Sequence, residues 1–305
     1  LDELGNIESS GLASRYLAFL GFAFNDQTKR FRNFMDYQRK WLEDSGSDDS
    51  HGRALLALGK VLNHSNALAL KGMAGWLFEQ TLPAILLTTS PRAWAFALIG
   101  VYEYLQKFGG ARRANQVRDE LAGRLLSLYQ NNRSDEWRWY ERELSYCNAA
   151  LPHALLTCGK SIPNKDMTNA GLESLNWLAD LQRANEGHFV PIGSNGFYRK
   201  GGERARFDQQ PVEAQAMVSA CLEAFRITGN KHWNKEARRA FEWFLGHNDL
   251  NLSIYDPTTG GCKDGLHSDR LNENQGAEST LAFLQSLLEL RLTEQTHLSM
   301  KAIVK

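Results

Sequence analysis

An alternation of two kinds of segment constrains this chain more than any other feature of its sequence. Residues 11–24 (GLASRYLAFLGFAF) are apolar almost all the way round, the pattern of a helix buried on every side. Residues 26–41 then carry many charges, with Phe31, Phe34, Met35, Gln38 and Leu42 marking one face. The same pairing of an inner with an outer segment recurs at 50–62 with 66–82, 91–108 with 112–129, 146–158 with 166–182, and 211–225 with 232–244. A last inner segment, 276–290, can pair only with the tail 293–305. Inner segments thus begin near residues 11, 50, 91, 146, 211 and 276, a spacing of about 40 to 65 residues, as a repeat architecture shows. About six helical hairpins around a buried inner layer predict an all-α fold, an (α/α)6 toroid or barrel. Residues 1–305 read as a single domain, and a chain starting at Leu1 leaves room for a segment or domain upstream. A solenoid of helix pairs is the rival, but its repeats are more regular in length and more alike in sequence.

In the closed form every loop from an outer into an inner helix opens on one face. Those loops are polar and aromatic: SGSDDSHGR (45–53), SDEWRWYERELSYCN (134–148), GFYRKGGERARFDQQP (196–211) and GGCKDGLHSDRLNENQGAE (260–278). The opposite loops, such as NHSN (63–66) and RITGNKHW (226–233), are short and plain. Function is therefore expected at one mouth, lined by acids, amides and indoles.

Charge and cysteine content narrow the class. Lys plus Arg and Asp plus Glu each number 35, so the formal net charge is zero and no electrostatic grip on nucleic acid or anionic lipid is expected. A neutral partner fits better. Cys147, Cys158, Cys221 and Cys262 form no C-x-x-C pair, which argues against a zinc site or a disulfide framework and reads as reduced thiols in a cytoplasmic protein. No apolar run reaches the roughly 18 to 20 residues that span a bilayer. The histidine spacings give no metal site, and no cofactor motif is present.

The segment ARFDQQPVEAQAM (205–217) is the most informative of the mouth loops. Pro211 suits a first helical turn and Gln210 its cap, which holds Asp208 at a helix mouth. Glu213 falls on the stripe of Met217, Ala220 and Ala224, so an acid shares the face that packs inward. It is either a capping acid or a site residue.

Five motifs, SDDSHGRALLALG, EWRWYERELSYCNAALPHALL, RARFDQQPVEAQAM, GGCKDGL and NENQGAESTLAFL, spread from about residue 45 to 290. This set resembles a bacterial (α/α)6-barrel module found beside or fused to GT-B glycosyltransferases. The resemblance implies a place in carbohydrate metabolism and a possible glycosyltransferase partner. The chain lacks the Gly-rich nucleotide loop and strand-helix alternation of the transferase itself, so the nearer comparison is with six-hairpin glycosidases, lyases and sugar epimerases. Two departures from the motifs are Asp48, where Glu is expected, and His153, where Gln is expected.

Hydrolysis of a glycoside needs two carboxyl groups, one to protonate the leaving oxygen and one to attack or to activate water. The acids expected at the mouth are Asp48, Asp49, Glu141, Asp208, Glu213, Asp264 and Glu278. Asp208, beside Phe207 and Tyr198, is the first choice for general acid, with Asp49 or Glu141 as its partner. Trp137 and Trp139, the latter with Tyr140 flanking Glu141, are candidate sugar platforms, although large aromatics also fill cores, and Tyr146 and Tyr198 are further substrate-binding candidates. Arg53, His51, Asn148, His153, Gln209, Gln210 and Asn274 supply the donors and acceptors that neutral polyols require, with Glu213, Asp264, His267 and Glu278 beside them. Structural readings compete: Asp48 and Asp49 as caps, His51 as a core histidine on the stripe of Leu55, Leu58 and Leu62, Asp264 as a turn acid. The run RKGGERAR (199–206) reads as an exposed loop, or as a lid or phosphate site that would suit a phosphorylase. The expected activity is a glycoside hydrolase on a neutral oligo- or polysaccharide. The alternatives are a phosphorylase, a sugar epimerase or isomerase using His51, His153 or His267 as bases, and a non-catalytic glycan-binding module.

Overall fold

A computed structural model describes residues 9–303 of the chain, and side-chain surroundings for residues 11–295. Among these residues are ten α-helices and six strands of two residues each. They form two compact units. One comprises the chain up to Ser127 with Thr157–Met167, the other Leu128–Leu156 with the chain from Thr168 onward.

The first unit is built on α2 (Asp48–His64) and α4 (Pro91–Lys107), which cross closely enough that glycine is required at the contact. A Cβ on Gly52 would fall 2.5 Å from the Ala93 carbonyl oxygen, and Gly59 faces Gly100 in the same way two turns further on. Both helices start with the chemistry their sequences advertise: the Ser47 hydroxyl accepts from Ser50 N–H, and the Ser90 hydroxyl accepts from Ala93 N–H ahead of Pro91. Asp48 lies in the first turn of α2 and accepts from Thr89 N–H at 2.9 Å and Ser90 N–H at 3.3 Å, so the N-terminal ends of the two helices lie side by side. α3 (Leu68–Thr81) packs on α2 and continues as a 3-10 turn through Leu87.

In the second unit α8 (Pro211–Thr228) is the central element, flanked by α9 (Lys231–Glu242) and by α10 (Ala277–Ile303). Nearly every α8 residue from Pro211 to Ala224 is buried, as expected of an inner helix, and Gly229 ends it in the left-handed region at φ 67°. Ser219 of α8 donates to Glu289 of α10 at 2.6 Å. α5 (Arg112–Asn132), α6 (Ala150–Ser161) and α7 (Lys165–Leu181) complete the helices that the sequence pattern places.

Three expectations about the ends of the pattern are corrected. Residues 9–23 do form a helix, α1 (Ser9–Ala23), but it is not buried on every side: Leu12, Tyr16, Phe19 and Phe22 are exposed and, among its described side chains, only Leu17 and Ala23 lie in the core. Residues 26–41 are not helical. Asn25 accepts from Gln27 N–H through its side chain and from Lys29 N–H through its carbonyl, so a turn forms that pairs β1 (Phe24–Asn25) with β2 (Arg30–Phe31). Local Asx-turn bonding overrides the weak helical period there. Finally, 276–290 and 293–305 are not a hairpin, because α10 runs unbroken to Ile303 with no Gly or Pro to stop it. Residues 304 and 305 lie outside the described residues.

Candidate active site

The FDQQP segment enters α8 through a backbone that few side chains adopt. Asp208 has φ 58°, in the left-handed region, and its carbonyl accepts from both Ser194 N–H and Ser194 Oγ at 3.0 Å. Gln209 and Leu266 then exchange two backbone hydrogen bonds, which brings β5 (Gly265–Leu266) and β6 (Leu271–Asn272), with the turn between them, against the FDQQP segment. His267 arrives beside Asp208 by this route, its Nδ1 2.5 Å from Asp208 Oδ1. The two side chains are about one-third exposed, at 32% and 36%. They line an open cavity of about 440 Å³ together with Asn195, Arg206, Phe207, Ser268, Asp269 and Arg270. Gly193 permits the approach: a Cβ there would lie 2.7 Å from the Phe207 nitrogen.

A carboxylate hydrogen-bonded to Nδ1 fixes the imidazole tautomer and leaves Nε2 as the site that takes up or gives a proton. Acid–base chemistry at an open cavity is therefore available from residues 59 positions apart in the chain.

Several of the other acids expected at the mouth are bonded within the fold instead. Glu213 is 3% exposed and is not available to a substrate. Its carboxylate accepts from the backbone N–H groups of Cys147 and Asn148 and from Asn148 Nδ2, holding a turn in which Cys147 has φ 46°. That turn leads into α6, so Glu213 ties the start of α8 to the start of α6 rather than capping its own helix. Asp264 accepts from Gly276 N–H at 2.8 Å, and from Asn274 Nδ2, at the start of α10. Partial burial pulls its carboxyl pKa up, but hydrogen bonding from Ser279, Asn274 and Gly276 N–H together holds it below the usual range. Glu278, in the first turn of α10, is exposed.

In the first unit Asp48 joins Arg30 at 2.8 Å besides accepting the N–H groups of Thr89 and Ser90 just before α4, and Asp49 joins Arg53 at 2.6 Å, whose guanidinium lies 4.3 Å from the centre of the Phe96 ring. His51 is fully buried. Its Nε2 donates to the Thr81 carbonyl at 3.2 Å, and burial, then the Arg30 charge, bring its pKa down to about 4. It is a neutral core histidine.

Burial also removes the two indoles as sugar platforms. Trp139 has no exposed surface and Trp137 is 3% exposed, its ring packed edge-on against Trp177 and Tyr198 and its Nε1 donating to the Glu141 carbonyl at 2.7 Å. The packing of these rings places Glu141, which is half-buried, next to β3 (Glu143–Leu144), and β3 pairs with β4 (Tyr198–Arg199). Asn148 and Gln209 are fully buried and bonded within the protein, Asn148 to Ser145 and Glu213 and Gln209 to Arg206 and Asp249. Tyr146, His153, Tyr198 and Gln210 are half-buried, and Asn274 is exposed.

The basic run holds no free cluster for phosphate. Arg199 pairs with Glu143, Lys200 with Ser134, Arg204 donates to the Leu181 carbonyl, and Arg206 makes a two-pronged contact with Asp249. Asp249, missed in the sequence, is the most densely bonded acid of this region. In sequence it is one more polar loop residue, and its partners lie 40 to 61 positions away.

No family model and no curated protein matches the chain. Solved structures do. An unsaturated glucuronyl hydrolase specific for heparin superposes with TM-score 0.63 at 11% identity, over 93% of this chain and 77% of that one. An inactive variant of an α-1,6-mannanase of Salegentibacter sp. HEL1_6, in complex with α-1,6-mannotriose, gives 0.64 at 12% identity over 93% and 84%. A sugar epimerase from a ruminal bacterium gives 0.63 at 11% identity over 92% and 82%. The chain therefore has the all-α, (α/α)6 fold of glycosidase-like proteins.

Proposed function

We propose that this protein is a carbohydrate-active enzyme, a glycoside hydrolase of neutral oligo- or polysaccharides, with Asp208 at its reaction centre. The observation that carries the reading is Asp208 itself: a carboxylate in a left-handed backbone position, paired with an imidazole and open to a cavity of about 440 Å³. Glu141, in the same compact unit, is the candidate second carboxylate. Asn195 and Ser268 supply the mixed donors and acceptors that sugar hydroxyls match. The fold supports the reading, since a hydrolase, a mannanase and an epimerase share it. Four buried free thiols fit a reducing compartment such as the cytoplasm, and the sequence motifs support a glycosyltransferase partner.

One observation favours epimerisation as the second reading. The Asp208–His267 pair is also the arrangement of a general base that removes a proton from carbon. A panel of neutral oligosaccharides with chromatographic product analysis separates the two, because hydrolysis makes shorter chains while epimerisation preserves length and takes up deuterium from D2O. Asp208→Asn and Glu141→Gln are each expected to lower turnover about 100-fold or more, the usual worth of a positioned acid or base. Wild-type turnover in both variants would overturn these two carboxylates as the catalytic groups, and ligand protection against melting with no turnover by the wild type would leave only a binding module.

A further inference from the structure

The structure assigns to Asp249 a positioning role for the reaction centre: it fixes the residues on either side of Asp208 and so sets where the Asp208–His267 pair stands. This deepens the function proposed above and rests on it. Asp249 lies in the loop after α9, and its side chain is 2% exposed. Its two oxygens accept four hydrogen bonds. Oδ1 takes Arg206 Nη2 at 2.8 Å and His188 Nε2 at 2.8 Å, while Oδ2 takes Arg206 Nε at 3.2 Å and Gln209 Nε2 at 2.7 Å. Two of the three donors are residues 206 and 209, which bracket Asp208 in the chain.

The bracket is closed on itself. Gln209 Nε2 also donates to the Arg206 carbonyl at 2.9 Å, and Gln209 Oε1 accepts from the buried Trp243 Nε1 at 2.7 Å, so the amide cannot flip without losing partners. The Gln209 backbone is paired with Leu266, one residue before His267. A movement of Gln209 therefore moves both members of the catalytic pair. Leaving a left-handed φ at a non-glycine residue unsupported is unfavourable, and here a buried carboxylate supplies the support on both flanks. Of the cavity-lining residues Asp249 hydrogen-bonds Arg206 and not Asp208, so it acts through its neighbours.

The test combines kinetics with a signal that needs no substrate. With the oligosaccharide turned over by the wild type, Asp249→Asn is expected to lower kcat about 10- to 100-fold while KM stays within about threefold, the effect of a displaced catalytic group. In the double variant with Asp208→Asn, turnover should fall no further than in Asp208→Asn alone. Proton NMR of the free protein should show the downfield His267 Nδ1–H resonance, assigned by its loss in His267→Gln, shifted or broadened in Asp249→Asn. If Asp249→Asn does not fold, Arg206→Lys, at a half-exposed side chain, removes the two-pronged contact and should show the same pattern with a smaller loss. Wild-type kcat with an unmoved resonance, or an equal loss in both backgrounds, overturns the positioning role. Failure of the proposed function is separable: Asp208→Asn then keeps full turnover, and the resonance alone decides whether Asp249 positions His267.

Discussion

Acidification should weaken the first unit through one residue, His51. The side chain is fully buried, is in ring contact with Phe31 at 5.8 Å, and donates from Nε2 to Thr81. Burial first, and the Arg30 charge second, hold its folded pKa at about 4, against an ordinary 6.5. The unfolded chain therefore binds a proton between these two values while the native state does not, so stability falls as pH drops through that window. Full separation of about 2.5 pKa units corresponds to roughly 3 kcal/mol, and at pH 5, where the native imidazole is still neutral, about 2 kcal/mol is already lost. The carboxylates whose pKa values are lowered by partners, such as Glu103 at about 2, lose their contribution below about pH 4.5, so the interval from pH 7.5 to 5 leaves them out and the comparison with a His51 variant singles out this histidine among the eight. The assay is thermal unfolding followed by circular dichroism at these two pH values, for the wild type and for His51→Gln, whose amide can still donate to Thr81. A wild-type Tm drop of about 3 °C, at least halved in the variant, is expected for a chain of 305 residues. Equal drops in the two proteins would refute the reasoning, because the proton uptake would then lie elsewhere.

Two further substitutions separate acids that hold the fold from the one that does not. Glu213→Gln exchanges a buried carboxylate receiving backbone donors for an amide that presents N–H to one of them, so urea denaturation should show a loss of about 1.5–3 kcal/mol. Asp208→Gly relieves a left-handed φ and deletes one side-chain hydrogen bond, so its urea midpoint should correspond to a stability within about 1 kcal/mol of wild type while turnover is lost.

Much of the helical framework was legible because its punctuation is local. Pro91 and Pro211 start α4 and α8, Ser47 and Ser90 cap α2 and α4, and Gly229 ends α8, all at or within a few residues of the expected bounds. The buried or exposed standing of a helix is not local. Residues 11–24 are apolar on all faces, yet most of that surface is exposed in α1, since composition states what a helix can bury and not what is there to cover it. The site divides in the same way. Asp208 and His267 were both legible as mouth residues, but their pairing depends on the Gln209–Leu266 bridge, a register between two loops that no period encodes. Asp249 was missed for that reason, and Trp137 and Trp139 were read as platforms because sequence cannot tell a stacking indole from one sealed in the core.

The contrast among the acids bears on why Asp208 is the one to associate with chemistry. Asp48, Glu213 and Asp264 each accept backbone N–H groups at or just before a helix start, and removing any of them would leave those donors without an acceptor. Asp249 is buried and neutralised by Arg206. Each has a folding reason to be a carboxylate. Asp208 has none of these: its backbone position suits glycine better, it satisfies no main-chain donor through its side chain, and its carboxylate meets His267 in an open cavity. A charged group held in an unfavourable backbone conformation, with its neighbours clamped by a buried acid, is a local conflict that folding alone does not require. Under the proposed function the conflict has a reason, because acid–base catalysis on a bound sugar needs a proton given or taken at a fixed point facing the ligand.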